Sequence, residues 1–199
     1  MNEVGFIVDG FMEKRIVEHI CPRAPVNRLD LNGKSVSIEA IARKAATYAR
    51  ILRRRCLRVI IVVDREARKE SSQSIARELS ERIAAEGVDD FVIAVSDRMS
   101  ENWMLADLRG VERYLSLPSG TLGGTYEGSN GKATLKSLFR AQSRSYQETL
   151  DGADLFCSCD PKTIASTSES FRALLEACED IPCHFLAGRL DSPASSVQT

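Results

Sequence analysis

The sequence predicts an α/β protein in which a parallel β-sheet is flanked by helices. Short apolar runs rich in β-branched residues alternate with segments whose apolar residues recur at helical spacing. The strongest run, Leu57 to Asp64, is almost continuously apolar, which is typical of a strand that other elements cover on both faces. The alternation over residues 3–115 therefore indicates parallel strands joined by helical crossovers.

The boundaries of these elements follow from local signals. Pro22 and Pro25 end the first helix, and Gly87 ends the third. The second helix begins at Ser35 and carries one apolar stripe, with its arginines on the other side. The predicted strands comprise residues 3–9, 26–31, 57–64 and 91–95. The predicted helices comprise residues 11–20, 35–52, 74–87 and 101–115.

The second part of the chain has a different character. Residues 116–132 are rich in glycine and serine, which predicts a loop. Two helical patterns follow, at about 133–150 and 168–179. We therefore expect four parts: an α/β core at 1–115, a loop at 116–132, a C-terminal helical extension at 133–185 and a flexible tail at 186–199.

The start of the chain and its hydropathy bear on location. Met1, Asn2 and Glu3 do not form the positively charged beginning of a signal peptide, and no apolar stretch approaches the roughly 18 residues of a membrane span. A cytoplasmic protein without a membrane partner is therefore expected.

The charge is small overall but unevenly distributed. The formal net charge of −1 gives no global basic field. Between Glu39 and Asp64, however, there is no acidic residue, while seven basic ones fall there. This stretch predicts a phosphate-binding strip for nucleic acid at Arg50, Arg53, Arg54 and Arg55. The alternative is that these arginines form a solvated helix face.

Acidic residues follow two of the predicted strands. Asp9 ends the first strand and Glu13 follows it, while Asp64 and Glu66 stand at the end of the strongest strand. Residues i and i+2 of an extended chain point to the same side, so Asp64 and Glu66 are expected to point together. Ligands of open α/β sheets bind outside the carboxyl ends of the strands, where a Mg²⁺ ion would relieve the repulsion between these carboxylates.

Each acid also has a structural alternative. Acids in the first turn of a helix are favoured by the helix dipole, which alone explains Glu13 and Glu101. An aspartate after a strand often only opens a turn. Agreement between two strand ends favours the metal site for Asp9 with Asp64 and Glu66.

Four motifs carry a resemblance to a known family. They are Asp9-Gly10-Phe11-Met12-Glu13, Asp64-Arg65-Glu66, Glu101-Asn102-Trp103-Met104-Leu105-Ala106-Asp107 and Ser168-Glu169-Ser170-Phe171. In this order they resemble a TOPRIM domain. They are more closely similar to bacterial TOPRIM-like proteins that are encoded beside ABC-type ATPases and are suspected of a role in defence. The resemblance implies a TOPRIM-like parallel sheet.

The sequence departs from that pattern at three positions. Asp9 stands where the family has glutamate, and Glu66 stands where it has the second aspartate of Asp-x-Asp. The family's late Tyr-x-Lys is here Tyr146-Gln147-Glu148, so an expected basic residue is missing.

The resemblance implies a phosphodiester-cleaving nuclease that depends on Mg²⁺ or Mn²⁺ and acts with an ATPase partner in anti-phage defence. The expected metal ligands are Asp9, Asp64 and Glu66, and the expected catalytic residues are Asp64, Glu13 and Glu101. Lys14, Arg65 and Arg68 are expected to neutralise the phosphate. A homodimer is a further expectation. The alternative function is a catalytically weak adaptor or regulatory subunit of an ATPase.

Two residues of the third motif have other expected roles. Six residues of helix separate Glu101 from Asp107, which places them about 120° apart around the axis. Asp107 is therefore expected to orient a basic or backbone group. Trp103, the only tryptophan, is expected to anchor the core.

Overall fold

A four-stranded sheet forms the centre of the described part of the molecule. The computed structural model describes residues 2–31 and 36–177. All strands pair in parallel, in the order β2-β1-β3-β4 across the sheet. The strands are β1 (Asn2–Val8), β2 (Val26–Arg28), β3 (Cys56–Asp64) and β4 (Phe91–Ser96). The predicted α/β class with a parallel sheet is thereby confirmed.

Helices connect the strands and continue beyond the last one. The connecting helices are α1 (Phe11–Ile20), α2 (Ile38–Arg53) and α3 (Ser72–Ala85). The helices after β4 are α4 (Glu101–Ala106), α5 (Leu108–Tyr114), α6 (Gly131–Ala141), α7 (Glu148–Cys157), α8 (Pro161–Thr167) and α9 (Glu169–Ala177). None of the helices in the described part of the chain is long and apolar enough to cross a bilayer.

Both faces of the sheet are buried, which explains the continuous apolar pattern of β3. Ile61 and Val63 point into a cluster with α2 and α3, whereas Ile60 and Val62 point into a second cluster with α1 and the helices after β4. Ile60 and Ile61 are fully buried, and each such side chain stabilises the fold by roughly 1.5–3 kcal/mol.

The strand order creates a crevice between β1 and β3. The chain passes from β1 to β2 on one side and then crosses to β3 on the other. The segments that follow β1 and β3 therefore leave the sheet in opposite directions. Such a topological switch point is where open α/β sheets bind ligands, at the carboxyl ends of the strands.

The prediction of one continuous helix at 101–115 is wrong, because this segment forms two helices. It breaks at Asp107, whose backbone leaves helical geometry at φ −109° and ψ 80°. The Asp107 side chain accepts hydrogen bonds from the N–H groups of Gly110, at 3.0 Å, and Asp160, at 2.8 Å. It thus caps α5 and fastens the start of α8. The prediction that Asp107 orients a backbone group is confirmed.

Asp107→Ala is expected to lower the free energy of unfolding by about 2 kcal/mol, because the helix cap and a buried acceptor are lost together. Chemical denaturation measures this loss. Asp107→Asn keeps an oxygen for the cap, so it should cost less than the alanine. Equal stability of the wild type and Asp107→Ala would contradict the capping role.

The helical extension consists of shorter helices than the sequence pattern predicted. The predicted helix at 133–150 is two helices, because the chain reverses at Ser143, where φ is +55°. The N–H of Arg144 returns to the Phe139 carbonyl at 2.9 Å, which closes the end of α6. Helix α8 was not predicted. The end of the extension and the predicted tail at 186–199 lie outside the described residues.

The glycine- and serine-rich loop is fastened to the core. Glu112 accepts the N–H groups of Gly120, at 3.0 Å, and Leu122, at 2.7 Å. Further along, Glu127 accepts the hydroxyls of Ser168 and Ser170. These bonds hold the loop beside the carboxyl edge of the sheet.

Candidate active site

Two aspartates face each other across the switch point. Asp64 is the last residue of β3, and Asp9 directly follows β1. Val8 pairs with Val62 in the sheet, so the two strands end at nearly the same height. The sheet order therefore brings together two acids that are 55 positions apart in the chain.

Asp64 is held in one orientation. Its Oδ1 accepts the Ser96 hydroxyl at 2.6 Å and the Ser100 N–H at 3.1 Å. Burial raises the pKa of the Asp64 carboxyl well above its usual value. The charge of Glu13 raises the pKa further, the Ser96 hydrogen bond lowers it, and the charges of Asp9 and Glu101 raise it again.

Glu13 connects this aspartate to the first helix. Its Oε2 accepts the Gly10 N–H at 3.0 Å, which closes a capping box at the start of α1. Its Oε1 accepts the Ser100 hydroxyl at 2.5 Å. Both oxygens of this buried carboxylate are engaged. Its contacts therefore suit a positioning role.

Glu101 is a buried carboxylate with one oxygen unpaired in the described part of the chain. The residue is 3% exposed, and its Oε1 has no hydrogen-bond partner among the described residues. Burial raises the pKa of Glu101 to about 7. The charges of Glu148 and Glu13 contribute to this rise, while the charge of Lys132 opposes it. A buried acid of this kind is poised to exchange a proton near neutral pH.

Asp9 completes the acidic cluster, by which we mean Asp9, Glu13, Asp64 and Glu101. Burial and the charges of Glu13 and Glu66 raise the pKa of Asp9 to about 6. A hydrogen bond from the Asp64 N–H and the charge of Arg68 partly offset this rise. Asp9 also lines an open groove of about 470 Å³ together with Glu66 and Arg68. The cluster is thus reachable from solvent on this side.

The extended backbone from which the alignment of Glu66 with Asp64 was predicted ends at Asp64. Strand β3 ends at Asp64, and the backbone of Glu66 is left-handed, with φ +58°. The N–H of Glu66 donates to the Arg98 carbonyl at 2.6 Å, which fixes this turn. Alternation of side chains applies only to extended backbone. The exposed Glu66 instead lies in the groove near Asp9.

A divalent cation fits this cluster in charge and ligand type. Carboxylate oxygens are hard ligands of the kind Mg²⁺ prefers, and the buried Oε1 of Glu101 has no hydrogen-bond partner among the described residues. The positions of the side chains fit an ion less well than their charge does. Within residues 2–31 and 36–177, no three Asp, Glu, His or Cys side chains are placed to ligate one ion together.

The three predicted phosphate-binding residues have other partners. Arg65 pairs with Asp97 at 2.9 Å and donates to the Arg68 carbonyl at 2.8 Å. Arg68 donates to the carbonyls of Val36, Asp64 and Arg65, which places its charge beside Asp9. Lys14 pairs with Glu18 one turn along α1. The charge of Arg68 lowers the pKa of Asp9, a predicted metal ligand.

The arginine strip lies near the amino end of β3, whereas the acidic cluster lies at the carboxyl end. Helix α2 ends at Arg53, just before β3 begins. Since β3 has nine residues at about 3.3 Å each, its two ends are roughly 26 Å apart. Arg53 pairs with Asp90 at 2.7 Å, and Arg50 with Glu86 at 3.6 Å. Nucleic-acid binding by Arg50, Arg53, Arg54 and Arg55 stays a prediction, but it is not contiguous with the acidic cluster.

Four residues of the site were missed by the sequence reasoning. Ser96 and Ser100 gave no signal, since single serines are common after strands. Lys132 and Glu148 form an ion pair beside Glu101. A signal for this pair did exist, because the departure at Tyr146-Gln147-Glu148 marked the position where a basic residue was expected.

Two of the motifs that carried the resemblance touch each other. Trp103 is 2% exposed and donates its indole N–H to the Ser170 hydroxyl at 2.9 Å. Its ring meets Phe171 edge-on, with the centroids 5.4 Å apart. The prediction that Trp103 anchors the core is confirmed. The contact also fixes α4, and with it Glu101, against α9.

Comparison with known proteins assigns the chain to a family. No curated protein and no solved structure shows a significant match to it. Residues 8–179 match the family model described as Domain of unknown function (DUF4276). Because this match spans most of the chain, the protein belongs to the Domain of unknown function (DUF4276) family.

Proposed function

We propose that the chain is a Mg²⁺- or Mn²⁺-dependent phosphodiester-cleaving enzyme of TOPRIM type, a nuclease. The observation that carries the proposal is the acidic cluster at the switch point of the sheet. Burial and neighbouring carboxylates raise the pKa values of Asp9, Asp64 and Glu101, and the buried Oε1 of Glu101 lacks a hydrogen-bond partner among the described residues. Such repulsion opposes folding, and buried groups with perturbed pKa values cluster at functional sites, which favours a function over a structural role.

The metal would be held by Asp9, Asp64 and Glu66. When bound, it supplies Lewis-acid chemistry to a scissile phosphate. Ser96 and the Ser100 N–H hold one oxygen of Asp64, and its other oxygen would contact the metal. Glu13 binds the Ser100 hydroxyl and so positions Asp64 through Ser100.

Glu101 is the better general base of the two expected candidates. An effective base has a pKa near the working pH, and the pKa of Glu101 is raised to about 7. Both oxygens of Glu13 already accept hydrogen bonds, which leaves it less free to accept a proton. We therefore assign proton transfer to Glu101 and positioning to Glu13.

The wider setting of the proposal rests on the resemblance to TOPRIM-like proteins. It includes DNA or RNA as the substrate, an ABC-type ATPase as the partner, a cytoplasmic location and a role in anti-phage defence. A homodimer belongs to the same expectation. The arginine strip would bind nucleic acid at a distance from the chemistry, since it lies near the amino end of β3.

A specific observation favours the adaptor as a second candidate. In the described parts of the chain, the acids are not arranged so that three could ligate one ion. Glu66 in addition has a left-handed backbone beyond the end of β3. A catalytically weak subunit that regulates an ATPase would tolerate both features.

A cleavage assay separates the two candidates. Purified protein is incubated with single-stranded and duplex DNA and RNA, in Mg²⁺, Mn²⁺ or EDTA, with and without a candidate ABC-type ATPase partner. Metal-dependent cleavage by the wild type supports the enzyme. Absence of cleavage under all of these conditions, together with binding to the ATPase, would establish the adaptor instead.

A further inference from the structure

Lys132 is a cation at the border of the acidic cluster. It is the second residue of α6, and its backbone N–H donates to the Met99 sulfur at 3.2 Å. Gly131 before it lies against α4, where an added Cβ would come within 2.1 Å of the Asn102 Oδ1. This close packing fixes the start of α6 beside Glu101, the first residue of α4.

The charge of Lys132 acts on the cluster directly. Burial alone would lower the pKa of its ammonium, but the hydrogen bond to Glu148 and the charges of Glu148, Glu101 and Glu13 raise it above the usual value. In return, Lys132 lowers the pKa of Glu101. The ammonium is therefore protonated and within electrostatic reach of two members of the cluster.

Lys132 can change its partner more easily than Arg65 or Arg68 can. Its ion pair with Glu148 is about 40% exposed on each side, and pairs of this kind contribute little to stability. The guanidinium groups of Arg65 and Arg68 each bind several groups of the fold at once. A phosphate that enters between carboxylates needs a positive charge that can turn toward it.

We propose that Lys132 binds a phosphate oxygen of the substrate, and that Glu148 is its resting partner until the phosphate displaces it. The inference rests on the proposed function and adds to it a residue that binds the substrate. The ion pair brings the ammonium of Lys132 in α6 to Glu148 in α7.

Binding of a fluorescently labelled single-stranded DNA oligonucleotide, measured by anisotropy in Ca²⁺, tests this inference. Lys132→Gln is expected to weaken binding about tenfold, as a charge-assisted hydrogen bond is lost. The slope of log K against log salt should become shallower by about 0.7, the value for one lost contact on a single strand. Lys132→Arg should restore binding, and Glu148→Gln should tighten it.

The matched control is Lys136→Gln, which removes the same charge from an exposed position one turn along α6. Binding by the control should stay near that of the wild type. If Lys132→Gln binds as the control does, or if the wild type binds no oligonucleotide, the inference is overturned. The cleavage assay decides the proposed function separately, because wild-type cleavage with an unaffected Lys132→Gln would contradict this inference alone.

Discussion

Asp64→Asn is expected to remove most of the stabilisation that Mg²⁺ gives to the wild-type protein. A ligand that binds only the folded state adds about 2.7 kcal/mol to the free energy of unfolding at a hundredfold excess over its Kd. The asparagine can still accept the hydrogen bonds of Ser96 and Ser100 through its carbonyl oxygen, so the fold should be retained. Thermal unfolding over a series of Mg²⁺ concentrations measures the effect.

The same substitution should make the metal-free protein more stable. Burial and neighbouring carboxylates disfavour the charged form of Asp64, and asparagine removes this charge. Asp89→Asn, an exposed change at the opposite edge of the sheet, is the control and should leave the Mg²⁺ response intact. Unfolding curves of the wild type that coincide with and without Mg²⁺ would contradict the metal site.

Glu101→Gln is expected to flatten the pH dependence of metal-free stability. The pKa of Glu101 rises from 4.5 in the unfolded chain to about 7 in the folded protein, so the folded state binds the proton more tightly. This tighter proton binding adds to the free energy of unfolding. The added stability is fully present below about pH 4.5 and is lost as the pH rises through 7. A shift of this size corresponds to on the order of 3 kcal/mol.

Denaturant unfolding in EDTA between pH 4 and about pH 8 measures this difference. The wild type should lose stability over that interval, and Glu101→Gln should lose less. Glu81→Gln, at an exposed position of α3, controls for the general effect of one carboxylate. Parallel curves for the wild type and Glu101→Gln would show that the buried carboxyl is not the cause.

The part of the site that was predictable depended on strand ends alone. Asp9 and Asp64 each follow a buried apolar run, and parallel strands end at a common edge, so both could be placed there from the sequence. Their direct opposition required the strand order, in which β1 and β3 are neighbours although β2 lies between them in the chain. Hydrophobic periodicity carries no information about that order.

The remaining residues depended on tertiary packing. Glu66 was placed by alternation, which does not apply because the strand ends two residues earlier and the backbone turns. Lys132 reaches the site through contacts of α6 with α4, which depend on a glycine at position 131. The break at Asp107 similarly depends on an acceptor that also binds α8 from a distant part of the chain. Local propensity does not encode such contacts.

Cleavage by Asp64→Ala, compared with that by the wild type in Mg²⁺ on one oligonucleotide, is the most direct test of the account. Asp64 both belongs to the predicted metal ligands and is held by Ser96 and Ser100 at the centre of the cluster. Its loss is expected to reduce turnover by roughly a thousandfold or more while the fold persists. An Asp64→Ala protein that cleaves as fast as the wild type would place the chemistry elsewhere in the molecule.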